Sequence, residues 1–269
     1  MTAHVLSLHV FPVKACRAVR LDEAYVTARG IRHDREFMVV TPDGEHLTQR
    51  EIPALATVRP SYDGDVLRLG VPGGPELTVD VARDGPARDV TVHGRPAPAV
   101  DQGDRAAKWL TDLLGTACRL VRCPDGGGKR VNQDYAPAGT MTMYADAYPV
   151  TVVSQESLDE LNARLDGTDT VPMSRFRQNV VLAGMDGPHA EDHVRRMRVG
   201  EVVLRPVKRD DRCMVTTIDQ VTGTRTRQPL RALAPYRTIE QKIMFGMFSV
   251  VDRPGVIRAG DDVEILEAD

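Results

Sequence analysis

Short apolar runs separated by glycine and proline turns fill the first hundred residues and limit the fold more than any other feature of this chain. Val5, Leu6, Leu8 and Val10 alternate with polar neighbours and stop at Pro12. Glu23–Thr27 and Glu36–Thr41 read as strands. Pro42-Asp43-Gly44 then turns the chain, because Pro fixes φ and Gly accepts a positive one. Val66–Val71 and Leu77–Val81 flank Pro72-Gly73-Gly74-Pro75, a hairpin pattern, and Asp89–His93 alternates again. Strands this short, roughly ten residues apart, predict a barrel or sandwich instead of β-α-β units.

The first helix is predicted over Gly103–Leu114, where Ala106, Trp109, Leu110, Leu113 and Leu114 share a face and Gly115 suits the C-terminal cap. Trp109 is read as core. A strand at Arg119–Arg122 precedes Cys123–Gly139, a stretch rich in Gly and Pro that carries Gly126-Gly127-Gly128. That stretch lacks the G-x-x-x-x-G-K-[ST] spacing of a phosphate loop, so a linker is favoured over an anion nest. Further strands are expected at Pro149–Val153, Asn179–Ala183, Glu201–Val207, Cys213–Ile218, Phe245–Val251 and Val263–Leu266. Leu158, Leu161 and Leu165 mark a helix with Ser154 as N-cap, and Arg231–Ala234 a helical turn. This divides the chain into 1–122, a linker at 123–140, and 141–269.

Composition excludes several classes. The 269 residues are 42% hydrophobic and 27% charged, enough for a substantial core. A net charge of −3 and 4% aromatic residues argue against nucleic-acid binding. No run approaches the ~18 apolar residues of a membrane span. The 4 cysteines include no C-x-x-C pair, and with no leader pattern the expectation is a cytoplasmic protein with reduced thiols. His189 and His193 are i,i+4 without H-E-x-x-H, and are read as surface.

Cys213 stands apart because Arg212 precedes it and Lys208 and Arg209 lie close upstream. Cations favour the thiolate, the form that attacks or binds metal, although Asp210 and Asp211 offset them. On these residues alone the cysteine is either a small buried hydrophobe or a ligand.

Several segments in order resemble one family. They are Phe11-Pro12-Val13-Lys14-Ala15-Cys16, Gly30-Ile31-Arg32-His33-Asp34-Arg35 and Ser174-Arg175-Phe176-Arg177-Gln178-Asn179-Val180-Val181. Arg212-Cys213 through Gly223, Phe245-Gly246, Pro254-Gly255 and Gly260-Asp261 complete the set. Together they resemble molybdenum-cofactor proteins of the MOSC type that carry the N-terminal β-barrel domain, similar to amidoxime-reducing components. The resemblance implies a mainly β fold with a few helices (α+β), a MOSC β-barrel behind an N-terminal β-barrel-like domain. It implies that Cys213 ligates molybdenum beside a molybdopterin dithiolene, and that Lys14, Arg35, Arg177, Asn179 and Arg212 hold the pterin and its phosphate. Planar guanidinium forks suit that phosphate.

The implied activity is two-electron reduction of N-hydroxylated small molecules, with electrons from a separate flavin reductase, ferredoxin or haem protein. No nucleic-acid or membrane partner is implied. At the level of the family, pyridoxal phosphate binding is implied as well. Gln178 replaces a common proline, and Asp211 replaces a small hydroxyl residue. Asp211 is a catalytic candidate as a proton relay or hydrogen-bond acceptor, with solvent exposure as its alternative. The rival readings are a sulfur transferase with a persulfide on Cys213 and a cofactor carrier without turnover.

Overall fold

Residues 2–165, 167 and 170–269 are described by the computed structural model. The strands fall into five sheets among the described residues, one of them the short unexpected pair Lys129–Arg130 and Met141–Thr142. The largest has nine strands. Its path runs Val19–Leu21, His4–Val10, Val180–Ala183, Val150–Ser154, Lys242–Arg253, Val202–Asp211, Val194–Val199, Val263–Ala268, with Thr238–Ile239 paired off the path to Lys242–Arg253. Every residue of Val150–Ser154 is buried, as expected of a central strand, and its pairing with Val180–Ala183 is parallel. Helix Gln155–Ala163 lies between those two strands in the chain, and the Ser154 side chain accepts a hydrogen bond from the Ser157 amide as its N-cap.

The fold is mainly β, but the sheets are open, which corrects the expectation of closed barrels. The strand His4–Val10 meets the chain at the start of the last strand through one isolated bridge, His4–Asp262, and a few backbone bonds. Val5 N–H donates to Asp261 O at 2.9 Å, Gly260 N–H to Val5 O at 2.8 Å, and Val263 N–H to Ala3 O at 2.8 Å. The last strand then pairs with Val194–Val199, so no continuous ladder closes the ring.

The four-stranded sheet orders Phe37–Val40, Arg119–Arg122, Arg95–Asp101 and Ala87–Val92. The three-stranded sheet Arg59–Tyr62, Val66–Gly70, Glu76–Asp80 shows the alternation seen in sequence, with Leu67, Leu69, Leu77 and Val79 turned inward. Helix Asp104–Leu114 closes this core with Ala106 and Leu110, and half-buried Trp109 packs against it. Sequence order and spatial order diverge at the N-terminus. His4–Val10 pairs with Val180–Ala183, and Glu23–Thr27 pairs with Gly255–Arg258.

Two local expectations are corrected. Cys213–Ile218 is not a strand. The strand ends at Asp211, and Met214–Thr217 form a 3₁₀ turn with Cys213 as N-cap. Thr216 Oγ1 donates to Cys213 O at 3.0 Å and Thr217 Oγ1 to Met214 O at 2.7 Å, local bonds that compete with a ladder. His189 is not a surface residue: its ring packs edge-on to Phe245, and Nε2 lies 2.9 Å from Glu160.

Asp101 is the main buried ion-pair hub of the N-terminal half. It is 3% exposed and accepts from Arg88, from Arg119 and from the Gly103 amide at the start of the helix. Burial raises its pKa, but bonds from Arg119, Gly103 and Arg88 outweigh it and hold the group at about 2. The unfolded chain therefore binds a proton at higher pH than the native one. The stabilisation is present above pH ~4 and is lost as pH falls towards ~2; at ~1.4 kcal/mol per unit it amounts to about 2 kcal/mol. Asp101→Asn is expected to lose this contribution at pH 7 and to show a flatter acid limb in thermal unfolding. An unchanged acid limb in the variant would disprove the assignment.

Candidate functional site

Segments distant in sequence converge on one open cavity of about 300 Å³. Lys14, Arg35, Arg177, Asn179, Asp211, Arg212 and Cys213 all line it. Four non-glycine residues of its wall, Ala15, Arg35, His93 and Arg177, have φ of 67°, 50°, 50° and 55°. Strained backbone of this kind persists where the surroundings over-determine it, and clusters at functional sites.

Arg35 and Asp34 form the buried support of the wall. Arg35 Nη1 donates to Asp34 Oδ2 and, at 3.1 Å, to Asn179 Oδ1, while Nη2 donates to Arg177 O at 3.1 Å. The Phe11 amide donates to Asp34 Oδ1 at 2.9 Å, and the guanidinium carbons of Arg35 and Arg177 sit 4.1 and 4.4 Å from the Phe11 ring centre. Asn179 serves mainly the fold. Its Oδ1 also accepts from Thr151 N–H and Oγ1, and its Nδ2 donates to His9 O, which leaves one N–H uncommitted.

Two cations face the cavity with donors to spare. Arg177 Nη1 donates to Cys16 O at 2.7 Å and Gln220 Oε1 at 3.1 Å; no carboxylate pairs with it among the described residues. Burial, with Arg35 beside it, lowers its pKa to about 10, so it stays charged at neutral pH. Lys14 donates to Tyr144 O at 2.9 Å and to Asp146 Oδ1. Burial lowers its pKa and Asp146 opposes that.

Arg212 is a clamp. Its Nε donates to Phe245 O at 2.8 Å and its Nη1 to Phe176 O at 3.0 Å, joining two segments whose aromatic rings stack at 4.0 Å. Nη2 lies 2.7 Å from Asp210 Oδ2 but is not aligned for a hydrogen bond. Burial, opposed by Arg212, raises the Asp210 carboxyl to about 7. Asp211 is only half-buried and faces Lys242 at 3.1 Å and Lys208 at 3.6 Å. Burial raises its pKa, but these lysines hold it below the usual carboxylate range.

Cys213 is the one exposed cysteine; Cys16, Cys118 and Cys123 are buried. Burial pushes the Cys16 thiol up to about 12 and Cys123 to about 11, which makes both poor nucleophiles. Arg50 Nη1 lies 3.9 Å from Cys213 Sγ.

Sequence reasoning missed Arg50, Asp146, Asp210 and the reciprocal amide pair Gln49–Gln220. Asp210 stood next to the chosen Asp211, and strand alternation was the available signal: it is the inward neighbour. Asp146 gave none, since it holds Lys14 and His93 from a loop. The triple-glycine stretch does not line the cavity; Asp125 beside it pairs with Arg122, and the Gly127 carbonyl accepts from Arg29.

Among the described residues, no three His, Cys, Asp or Glu side chains converge as a metal site.

The MOSC N-terminal beta barrel domain model matches residues 2–117 and the MOSC domain model residues 139–264. Mitochondrial amidoxime-reducing component 1 of Mus musculus is 33% identical over 281 residues, with 97% of this chain and 82% of that protein covered. The Homo sapiens protein of the same name has the same identity and coverage. Molybdenum cofactor sulfurase of Oryza sativa subsp. japonica is 27% identical over 264 residues, which cover 91% of this chain and 32% of that protein. Successive domain matches over most of the sequence, and such identity along nearly all of it, show that the chain belongs to the MOSC family and carries the MOSC N-terminal domain ahead of the MOSC domain.

Proposed function

We propose that this protein binds a molybdenum–pterin cofactor through Cys213 and reduces N-hydroxylated small molecules with electrons from a separate carrier protein. The observation that carries the reading is the gathering of Lys14, Arg35, Arg177 and Arg212 around the one exposed thiol. The fit can be judged from donors. Arg177 has guanidinium N–H groups beyond Nη1 with no protein acceptor among the described residues, and Lys14 and Asn179 each keep one N–H. That is a donor set for a phosphate and an amide-like edge, and a single soft thiolate suits a metal that brings its own sulfur ligands.

When bound, the cofactor supplies the two-electron redox couple. The chain supplies the remainder. Cys213 would hold the metal, and Arg177 and Lys14 would hold the anionic end, while Arg35 and Arg212 keep the wall rigid. The reaction balances as one N–OH, two electrons and two protons giving one N–H and one water. Asp210, a buried carboxyl on the cavity wall, can carry a proton near neutral pH. Relatives with amidoxime-reducing names support the substrate class.

The test is molybdenum content of the purified protein by elemental analysis, beside a Cys213→Ala variant. Loss of outer-shell partners costs metal sites about 10–100-fold, so loss of the ligand itself is expected to lower occupancy at least about tenfold. Equal and negligible molybdenum in both would end this reading. The exposure of Cys213 also suits a persulfide, and an adduct of about 32 Da on Cys213 without metal would favour a sulfur carrier instead.

A further inference from the structure

Exposed arginines without a carboxylate partner are scattered over the described residues (Arg20, Arg32, Arg59, Arg95, Arg105, Arg130 and Arg253), but three lie together in one run next to the cysteine segment. Arg68, Arg83, Arg195, Arg198, Arg205 and Arg258 each meet an Asp or Glu. Arg225, Arg227 and Arg231 are exposed, and none has a carboxylate within ion-pair distance among the described residues.

These three residues are fastened to the cysteine segment. Ile218 and Arg225 form a β-bridge, and Thr226 N–H donates to Thr217 O at 2.9 Å. Arg225 Nη2 donates to the Arg50 carbonyl at 2.7 Å, and the Arg50 guanidinium reaches to 3.9 Å from Cys213 Sγ. Arg231 N–H donates to Arg227 O, which sets those two a helical turn apart. Nearby carboxylates are already neutralised. Asp219 faces Arg175 at 3.2 Å, Asp211 faces Lys242 at 3.1 Å, and Glu51 lies 3.9 Å from Arg50. Met214 and Val221 on the same segment are 40% and 51% exposed, which adds small apolar contacts inside a cationic rim.

From this we propose that Arg225, Arg227 and Arg231 form the docking face for an acidic one-electron carrier protein, placed beside Cys213. The proposal rests on the reductase reading given above. Charge complementarity commits it to an occupant rich in Asp and Glu around its redox group. Redox partners meet through small surfaces, and electrostatic steering raises their encounter rate by about 10–1,000-fold at low salt. Each turnover takes two encounters of one electron each, with two protons from solvent, and the substrate oxygen leaves as water.

The experiment uses the holoprotein and its R225Q/R227Q/R231Q variant, with an amidoxime as substrate. Electrons come either from reduced plant-type [2Fe–2S] ferredoxin, an acidic carrier, or from electrochemically reduced methyl viologen, which needs no docking. At low ionic strength the variant is expected to show at least about a tenfold higher KM for ferredoxin and a flatter salt dependence. Viologen-driven turnover is expected to stay within about twofold of wild type, which also reports that the variant is folded and loaded. An unchanged ferredoxin KM, or no ferredoxin-driven turnover in a wild type that viologen does drive, overturns the docking face. Absence of viologen-driven turnover in the loaded wild type overturns the reductase reading, and the docking face with it.

Discussion

Arg35→Ala is expected to cost about 3–5 kcal/mol of stability, the range for removing one partner of a buried ion pair. The cost arises mainly from what stays behind. Asp34 is 4% exposed and would keep a carboxylate facing only the Phe11 amide. Asn179 Oδ1 and the Arg177 carbonyl would each lose a donor, and Phe11 would lose one of its two stacked guanidinium groups. Because Arg177 has a left-handed backbone, loss of the bond to its carbonyl is expected to loosen the Arg177 side chain, the cation proposed to hold the phosphate. Urea unfolding measures the effect, and a loss under about 1 kcal/mol would refute the buried-pair account. Arg35→Lys rescues only part, since one ammonium cannot span the three acceptors. Removing both charges, in Asp34→Asn with Arg35→Met, is expected to cost less than Arg35→Ala alone.

Gly246→Ala is expected to cost about 3 kcal/mol or more and to disturb the site. Gly246 has a φ of +76°, and an added Cβ would lie 2.7 Å from Val152 O and 3.2 Å from the Val153 side chain. The left-handed backbone alone costs a non-glycine residue about 1–2 kcal/mol. The clash adds to this because Val152 is bound into the ladder opposite Met247 and cannot retreat. Phe245 O, the acceptor for Arg212 Nε, is part of the adjoining peptide, so strain there reaches the clamp. Gly94→Ala is the control. Its φ is +72° with nothing within 4 Å of an added Cβ, and the expected loss is about 1 kcal/mol. Equal losses in the two variants would show that backbone conformation, and not contact, sets the cost.

Period-two alternation and turn residues made the N-terminal strands readable, and the caps at Ser154 and Gly115 made two helices readable, because those signals are local. The sheet's open path was not local. Leu8 faces Val180, and nothing within either segment specifies the other. The segment after Cys213 misled because Val215, Thr216, Thr217 and Ile218 are β-branched. Hydroxyl-to-carbonyl bonds turned it into a 3₁₀ helix instead. His189 looked like surface because the ring that covers it, Phe245, is distant in sequence. For the cavity, the motifs named the cations. They could not name Asp146, since a carboxylate set against a lysine 132 residues away leaves no spacing to read, whereas Asp210 was within reach of strand alternation beside Asp211.

The pairing of the first strand with Val180–Ala183 has a consequence for synthesis. Translation at roughly 5–20 residues per second leaves His4–Val10 without its partner for roughly ten to thirty seconds. Throughout that interval His4–Val10 has only the short strand Val19–Leu21 beside it, and Val5, Leu8 and Val10 present an apolar face, the kind of surface that holdase chaperones shield. The pocket itself comes later still. Arg212 acquires its Phe245 acceptor only when the penultimate long strand leaves the ribosome. A nascent chain stopped short of Phe245 has the cations of the site without its clamp.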